Sequence, residues 1–228
     1  MSKRFSSPIY NVTTSGGEKV AIDVTNSISA GLEPNQGLMN EVITWMNKRG
    51  YTRILDFGGG ALRHTIPLLD KGFEVIAVEY ERAYTRPRAK AMRAQAQGYD
   101  GFTALVWPED FLKCRLKYDV ALLVYVLQVI PVKTERDLLL NAIAERFDRN
   151  GPKRLYYASR YGEARGLPDN TRYNDGWVRG VGVHDRSFYT EWNAADTDKL
   201  FLKCGYERAG SYSGATQPYI YEFQPGVL

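Results

Sequence analysis

Apolar residues along this 228-residue chain recur with two different periods, and the two alternate. Short apolar runs of strand length stand at Ile54–Leu55, Phe73–Val78, Phe102–Val106, Tyr118–Pro131 and Arg154–Ser159. Between them, apolar residues fall at helical spacing: Leu38, Val42 and Trp45; Leu62, Ile66 and Leu69; Leu139, Ile143 and Phe147. The run Tyr118–Pro131 is the longest and is apolar on both faces, as a central parallel strand buried under helices requires. Lys19–Asp23 alternates as an edge strand or hairpin arm. Tyr206–Tyr212 and Pro218–Phe223 read as a closing hairpin-like pair. The predicted fold class is α/β: a single doubly wound, mostly parallel seven-stranded sheet with a C-terminal antiparallel strand.

Helix punctuation refines this. The pattern predicts helices over Pro34–Met46 with Gly50 as the stop, from Leu62 to Leu69, and from Glu79 through Gln95. Thr134 is the expected N-cap of a helix ending near Asn150-Gly151-Pro152. Glu191–Leu202 is the last, with Trp192, Leu200 and Leu202 as its apolar residues and Gly205 as the C-cap. Regular spacing stops from Arg160 to Phe188, too long a stretch for a mere connection, and long ordered loops tend to be functional.

The first strand–helix junction carries the candidate chemistry. Arg53-Ile-Leu-Asp-Phe-Gly-Gly-Gly-Ala-Leu-Arg-His64 runs from a buried strand through an acid and three glycines into a helix. Glycines there permit positive φ and close approach of a ligand, and the first helical N–H groups point over the turn. The next strand ends in a second acid, Glu79, about 20 residues on, where such folds place a carboxylate on ribose hydroxyls. A nicotinamide dehydrogenase would call for a third glycine at Gly-x-Gly-x-x-Gly. Here Gly58-x-Gly60 is followed by Ala61, Leu62 and Arg63.

Asp56-x-Gly58-x-Gly60 with Glu79 resembles the S-adenosylmethionine site of class I (Rossmann-like) methyltransferases, over roughly Leu38 to Phe223. The resemblance implies a methyl-transferring enzyme with S-adenosylmethionine as cofactor and no metal. It implies cofactor contacts from Asp56, Gly58, Gly59, Gly60, Arg63 (at the methionine carboxylate), Glu79 (at the ribose) and Tyr80. Asp110, or its neighbour Glu109, would read the adenine, with Phe111 among the apolar flanks. Tyr125, at the mouth of the central strand, is expected to touch the cofactor and position the acceptor. Tyr125 and His184 are the candidate catalytic residues, and His64 is a possible base that reads better as a helix-start residue. The family often has a third glycine where Leu62 stands here. Residues 1–36 would be an N-terminal arm, with Thr25 to Gln36 a candidate lid, and residues 160–190 an acceptor-side insertion within one domain spanning 1–228. An inert binding module of the same fold is the rival reading.

Composition changes the picture only at the acceptor. Arg82, Arg86, Arg88, Lys90 and Arg93 crowd one helix, and the net charge is +4. With the insertion, that basic stretch (residues 82–93) favours a nucleic-acid partner slightly over a small-molecule acceptor. Against it, the Asp/Asn-Pro-Pro-aromatic signature of DNA amino-methyltransferases is replaced by Val124-Tyr125-Val126-Leu127. Two distant cysteines, no apolar block at the N-terminus and no bilayer-length apolar stretch lead us to expect a cytoplasmic protein without membrane contact.

Overall fold

The computed structural model describes residues 7–27, 33–148, 150, 153–159, 171–180, 186–212 and 219–226. Its first strands, β1 (Ile9–Thr13) and β2 (Lys19–Asp23), pair as an antiparallel hairpin. Five parallel strands follow: β3 (Arg53–Phe57), β4 (Glu74–Glu79), β5 (Phe102–Val106), β6 (Val120–Val124) and β7 (Arg154–Ser159). Three short strands, β8 (Thr171–Tyr173), β9 (Gly176–Arg179) and β10 (Ser187–Tyr189), form a separate antiparallel sheet. The last two, β11 (Tyr206–Tyr212) and β12 (Tyr219–Pro225), complete the main sheet in the order β11-β12-β7-β6-β3-β4-β5. β12 slots between β7 and β11 and runs antiparallel to both. The expected seven-stranded, mostly parallel sheet is present.

Strand alternation divides the core into two layers. On one face Leu55, Phe57, Ile76, Val78 and Leu123 pack against α5 (Lys133–Ala144) and α6 (Ala194–Lys203). On the other, Ile54, Val75, Val120 and Leu122 meet α1 (Gln36–Arg49) and α2 (Thr65–Asp70). No described helix is long and apolar enough to cross a membrane. The described residues contain no group of three His, Cys, Asp or Glu able to hold a metal.

Several element boundaries differ from the sequence reading, each for a local reason. α1 has Asn35 as its N-cap, with Oδ1 accepting from Leu38 N at 3.1 Å, and Gly50 closes it at φ 70°. α2 begins at Thr65, not Leu62, which places Pro67 in the first turn where no N–H is needed. The helix expected from Glu79 breaks into α3 (Glu81–Tyr84) and α4 (Pro87–Ala96), because Pro87 forces Arg86 to an extended ψ of 139°. β6 ends at Val124, since Tyr125 turns to φ 61° and a 3-10 turn, Leu127–Val129, follows. α5 is flanked by Val132 rather than capped by Thr134. α6 starts after Asn193, whose side chain accepts from Asp196 N at 2.9 Å. Cys204, not Gly205, ends α6, and its buried face is Thr197 and Phe201, while Leu202 is 67% exposed.

The stretch expected to be irregular carries β8 to β10, and this small sheet meets the N-terminal hairpin. Asp23 N donates to Arg186 O at 3.0 Å, and Tyr10, Val20, Ile22, Val24, Val178 and Phe188 form a third apolar cluster. The sheet is tied to the main body through Arg136, which is 1% exposed. Its guanidinium donates to both Asp175 oxygens at 2.7 and 2.8 Å and its Nε to Ile130 O at 2.8 Å. The Trp192 ring lies 4.8 Å away. Burial alone would raise the Asp175 carboxyl, but its bonds and attraction to Arg136 hold it below the ordinary value. Removing one partner of a buried pair strands the other charge. Asp175→Ala is therefore expected to cost about 3–5 kcal/mol of unfolding free energy in urea denaturation at pH 7, whereas a loss under about 1 kcal/mol, as for an exposed pair, would refute this role.

Candidate functional site

A cavity of about 850 Å³, open to solvent, lies at the carboxyl ends of β3, β4 and β6. Open α/β sheets bind ligands on this side. Its floor is the turn after β3. Gly58 (φ 73°) and Gly60 (φ 55°) take left-handed conformations, and so does Leu62 (φ 58°). A Cβ built on Gly58 would stand 2.3 Å from Val126 Cγ2, so a side chain cannot be accommodated there. Leu62, where the glycine pattern lapses, keeps the conformation a glycine would adopt. Its left-handed backbone costs about 1–2 kcal/mol, and the full burial of its side chain offsets that cost.

Two carboxylates sit beneath the turn. Asp56 is buried and accepts from Thr65 Oγ1 at 2.6 Å, which ties the end of β3 to the start of α2. Burial raises its pKa, against the lowering effects of the Thr65 bond and of Arg63. Glu79 lines the cavity, with Oε2 accepting from Gly60 N at 3.1 Å and Oε1 from Tyr80 N at 2.8 Å. Desolvation pushes its pKa up to about 7, against these two backbone bonds. An acid raised by burial and held by two fixed N–H donors is poised to take further donors from a ligand.

His64 also lines the cavity and is 2% exposed. Its Nε2 accepts from Asn35 N at 3.2 Å, which joins α2 to the cap of α1. Burial, with Arg63 beside it, lowers its pKa to about 3. The ring is thus held neutral, and its acceptor nitrogen is already used.

The structure brings Gly58, Gly59, Gly60, Arg63, Glu79, Tyr80 and Tyr125 together around this cavity. Asp56 supports the floor from behind. Arg63 lies 5.5 Å over the Tyr125 ring at the rim. Glu109, Asp110 and Phe111 are not among the lining residues. Glu109 and Asp110 are exposed, and Asp110 Oδ2 accepts from Val106 N at 3.0 Å, which caps the turn after β5. Phe111 is buried in the core, edge-on to Phe57 at 5.4 Å. The acid expected at the adenine position therefore serves the local backbone, and Trp107, two to four residues earlier, occupies the cavity wall. His184 lies outside the described residues.

Sequence reasoning missed Trp107, Val126, Val129 and Ile130, which line the cavity without any motif of their own. From the proposed lid, Thr25 and Ser27 reach the cavity, and residues 28–32 lie outside the described residues. The basic run turns out to hold this arm. Arg82 Nε pairs with Asp23 Oδ2 at 2.8 Å, and Arg86 Nη2 donates to Thr25 Oγ1 and Asn26 Oδ1 at 2.9 and 2.7 Å. Arg93 stacks on Tyr84 at 4.4 Å. Arg82, Arg86 and Arg93 thus have partners within the chain.

No protein-family model matches the sequence, and a comparison with curated proteins finds no match. Solved structures do match. The CcbJ methyltransferase from Streptomyces caelestis superposes with a TM-score of 0.62 at 14% identity, over 90% of this chain and 96% of that one. The glycopeptide N-methyltransferase MtfA complexed with S-adenosylmethionine gives 0.60 at 14% identity, over 84% and 94%. Magnesium protoporphyrin IX methyltransferase (ChlM) from Synechocystis PCC 6803, with bound S-adenosylhomocysteine, gives 0.55 at 19%, over 84% and 83%. At these identities the likeness is one of fold. The chain has the class I methyltransferase fold.

The neutral His64 has a consequence for stability. Its pKa is lowered on folding, so the unfolded chain takes up a proton near pH 6.5 that the folded state refuses until about pH 3. Stability is then lost as pH falls below 6.5, by about 1.4 kcal/mol per unit. Between pH 7.5 and pH 5 the wild type should lose about 2 kcal/mol more than His64→Gln, measured by urea denaturation at each pH. Parallel losses in the two proteins would contradict the buried neutral ring.

Proposed function

We propose that the chain is an S-adenosylmethionine-dependent methyltransferase acting on a small-molecule acceptor. The observation that carries this reading is the Glu79 carboxylate, buried at the cavity wall and oriented by Gly60 N–H and Tyr80 N–H. Such a group suits the paired hydroxyls of a ribose, and the flanking Tyr80 and Trp107 rings suit a purine. The fit extends to the turn. Gly58 and Gly60 leave no side chain between the backbone and a bound sulfonium, and Arg63 supplies a cation for a carboxylate at the rim. Asp56 acts indirectly, by fixing the turn through Thr65.

The cofactor, once bound, supplies a methyl group on a sulfonium that leaves readily. The protein's share is alignment and exclusion of water. In this reading Tyr125 positions the acceptor: a non-glycine residue held at φ 61° costs about 1–2 kcal/mol, and that conformation directs the chain after β6 around the cavity. Thr25 and Ser27 close the cavity from the N-terminal arm. His184 keeps only its sequence-based candidacy as a catalytic residue.

A small acceptor is favoured over a nucleic acid because Arg82, Arg86 and Arg93 of the basic run are engaged within the chain. MtfA and ChlM are also named for a glycopeptide and a porphyrin. A cytoplasmic setting and a single catalytic domain, with residues 1–36 and 160–190 as arm and insertion, belong to the same reading.

Calorimetry with S-adenosylhomocysteine tests the proposal. Wild type should bind, and Glu79→Ala should bind about 100-fold more weakly, the worth of two hydrogen bonds to a charged acceptor. Ribose hydroxyls favour the ionised carboxylate, so affinity should rise as pH increases through about 7, the pKa of ligand-free Glu79. Glu79→Gln should flatten that profile. Absence of binding by the wild type would end the reading. Labelled cofactor offered with metabolite extract, DNA and RNA then identifies the acceptor class, and label in nucleic acid would reverse the small-molecule assignment.

A further inference from the structure

Tyr80 lies at a junction of the molecule. Among the partly buried apolar residues described, it alone packs against both the main core below the sheet and the third cluster formed by the N-terminal hairpin and the β8–β10 sheet. Its ring lines the cavity. Its hydroxyl meets Tyr10, which β1 carries 70 residues earlier in the chain, at an Oη–Oη distance of 3.4 Å.

The direction of the hydrogen bonds follows from proton count. Tyr10 donates its hydroxyl proton to Glu135 Oε2, in the first turn of α5. A phenol has one proton, so Tyr10 can only accept from Tyr80. The order is Tyr80 O–H to Tyr10 O–H to the Glu135 carboxylate, a group that terminates such a chain because it only accepts. Burial, the chief cause, holds both phenols well above their ordinary pKa, so both remain protonated donors. The Trp107 side chain is a further hydrogen-bonding neighbour of the Tyr80 hydroxyl. Glu135 and Tyr10 are 5% and 9% exposed, so water is poorly placed to substitute for either. The docked arm is held independently by Asp23–Arg82 and by Arg86 on Thr25 and Asn26.

We propose that Tyr10 and Glu135 are positioning residues of the cofactor site: they fix the Tyr80 ring at the cavity wall, so that the N-terminal hairpin takes part in binding the adenine end of the cofactor. Neither residue touches the cavity, and each acts through Tyr80. The inference rests on the cofactor reading given above.

The test measures S-adenosylhomocysteine and adenosine binding by calorimetry at 25 °C for the full chain. Tyr10→Phe keeps the ring and removes the hydroxyl, and it should weaken both ligands by the same factor of about ten, one hydrogen bond. Glu135→Gln retains an oxygen for Tyr10 and should stay within about threefold of wild type, whereas Glu135→Leu should match the tenfold loss. A double-mutant cycle separates positioning from mere destabilisation. Tyr10→Phe added to Tyr80→Phe should cost nothing further, since the bond is already broken. Affinities within twofold of wild type for Tyr10→Phe, or additive losses in the cycle, would overturn the proposal while leaving the cofactor site standing. If Tyr10→Phe does not fold, Tyr80→Phe breaks the same bond from the cavity side, and unchanged affinity there overturns it equally. No binding by the wild type would instead bring down the cofactor reading itself.

Discussion

Three of the five residues from Gly58 to Leu62 hold positive φ, and the site is built on that turn. This path carries the chain from the end of β3 to the start of α2 and directs Gly60 N–H at the Glu79 carboxylate. Val126 fills the space above Gly58, so the backbone of the turn and the segment after β6 fit each other without a spare methyl group. Thr65 on Asp56 then locks α2 to β3. The strain at Leu62 is borne by burial: its side chain is enclosed by the layer that α1 and α2 form over the sheet.

Burying charge is the second recurrent cost, and the molecule meets it in different ways at different places. Arg136 and Asp175 are paired with two hydrogen bonds, and Asp175 keeps a depressed pKa. Among the described residues Glu79 has only backbone donors, and desolvation prevails. His64 stays neutral altogether. The structural ion pair is fully matched, while the cavity acid is left with capacity to spare. That contrast separates a group that holds the fold from one suited to a ligand.

Two segments that looked peripheral in the sequence turn out to be one structure. The β1–β2 hairpin and the β8–β10 sheet share an apolar cluster and are joined by the bridge between Ile22 and Arg186. Two of the arginines that seemed to offer an anionic partner a binding face, Arg82 and Arg86, hold the N-terminal arm in place. A one-sided charge run on a helix has no sign of its partner in the local sequence. Asp23 lies 59 residues from Arg82, and Thr25 lies 61 from Arg86.

The sequence by itself determined the order of the main-sheet strands and the helices between them, the antiparallel closing pair, and the spacing of Asp56, Gly58–Gly60 and Glu79. These depend on local periodicity and turn chemistry, which neighbouring residues encode. The break at Pro87 and the late start of α2 at Thr65 were equally local, and follow from proline's missing N–H and its effect on the preceding residue. Tertiary structure alone decided that Asp110 caps a turn while Trp107 lines the cavity, with the Trp107 and Phe111 rings both packed edge-on against Phe57. It alone brought Tyr10 to Tyr80 and Glu135, across 70 and 125 residues. Contacts between elements are fixed by how whole faces pack, and a single strand of alternating residues cannot say which partner its inward side will meet.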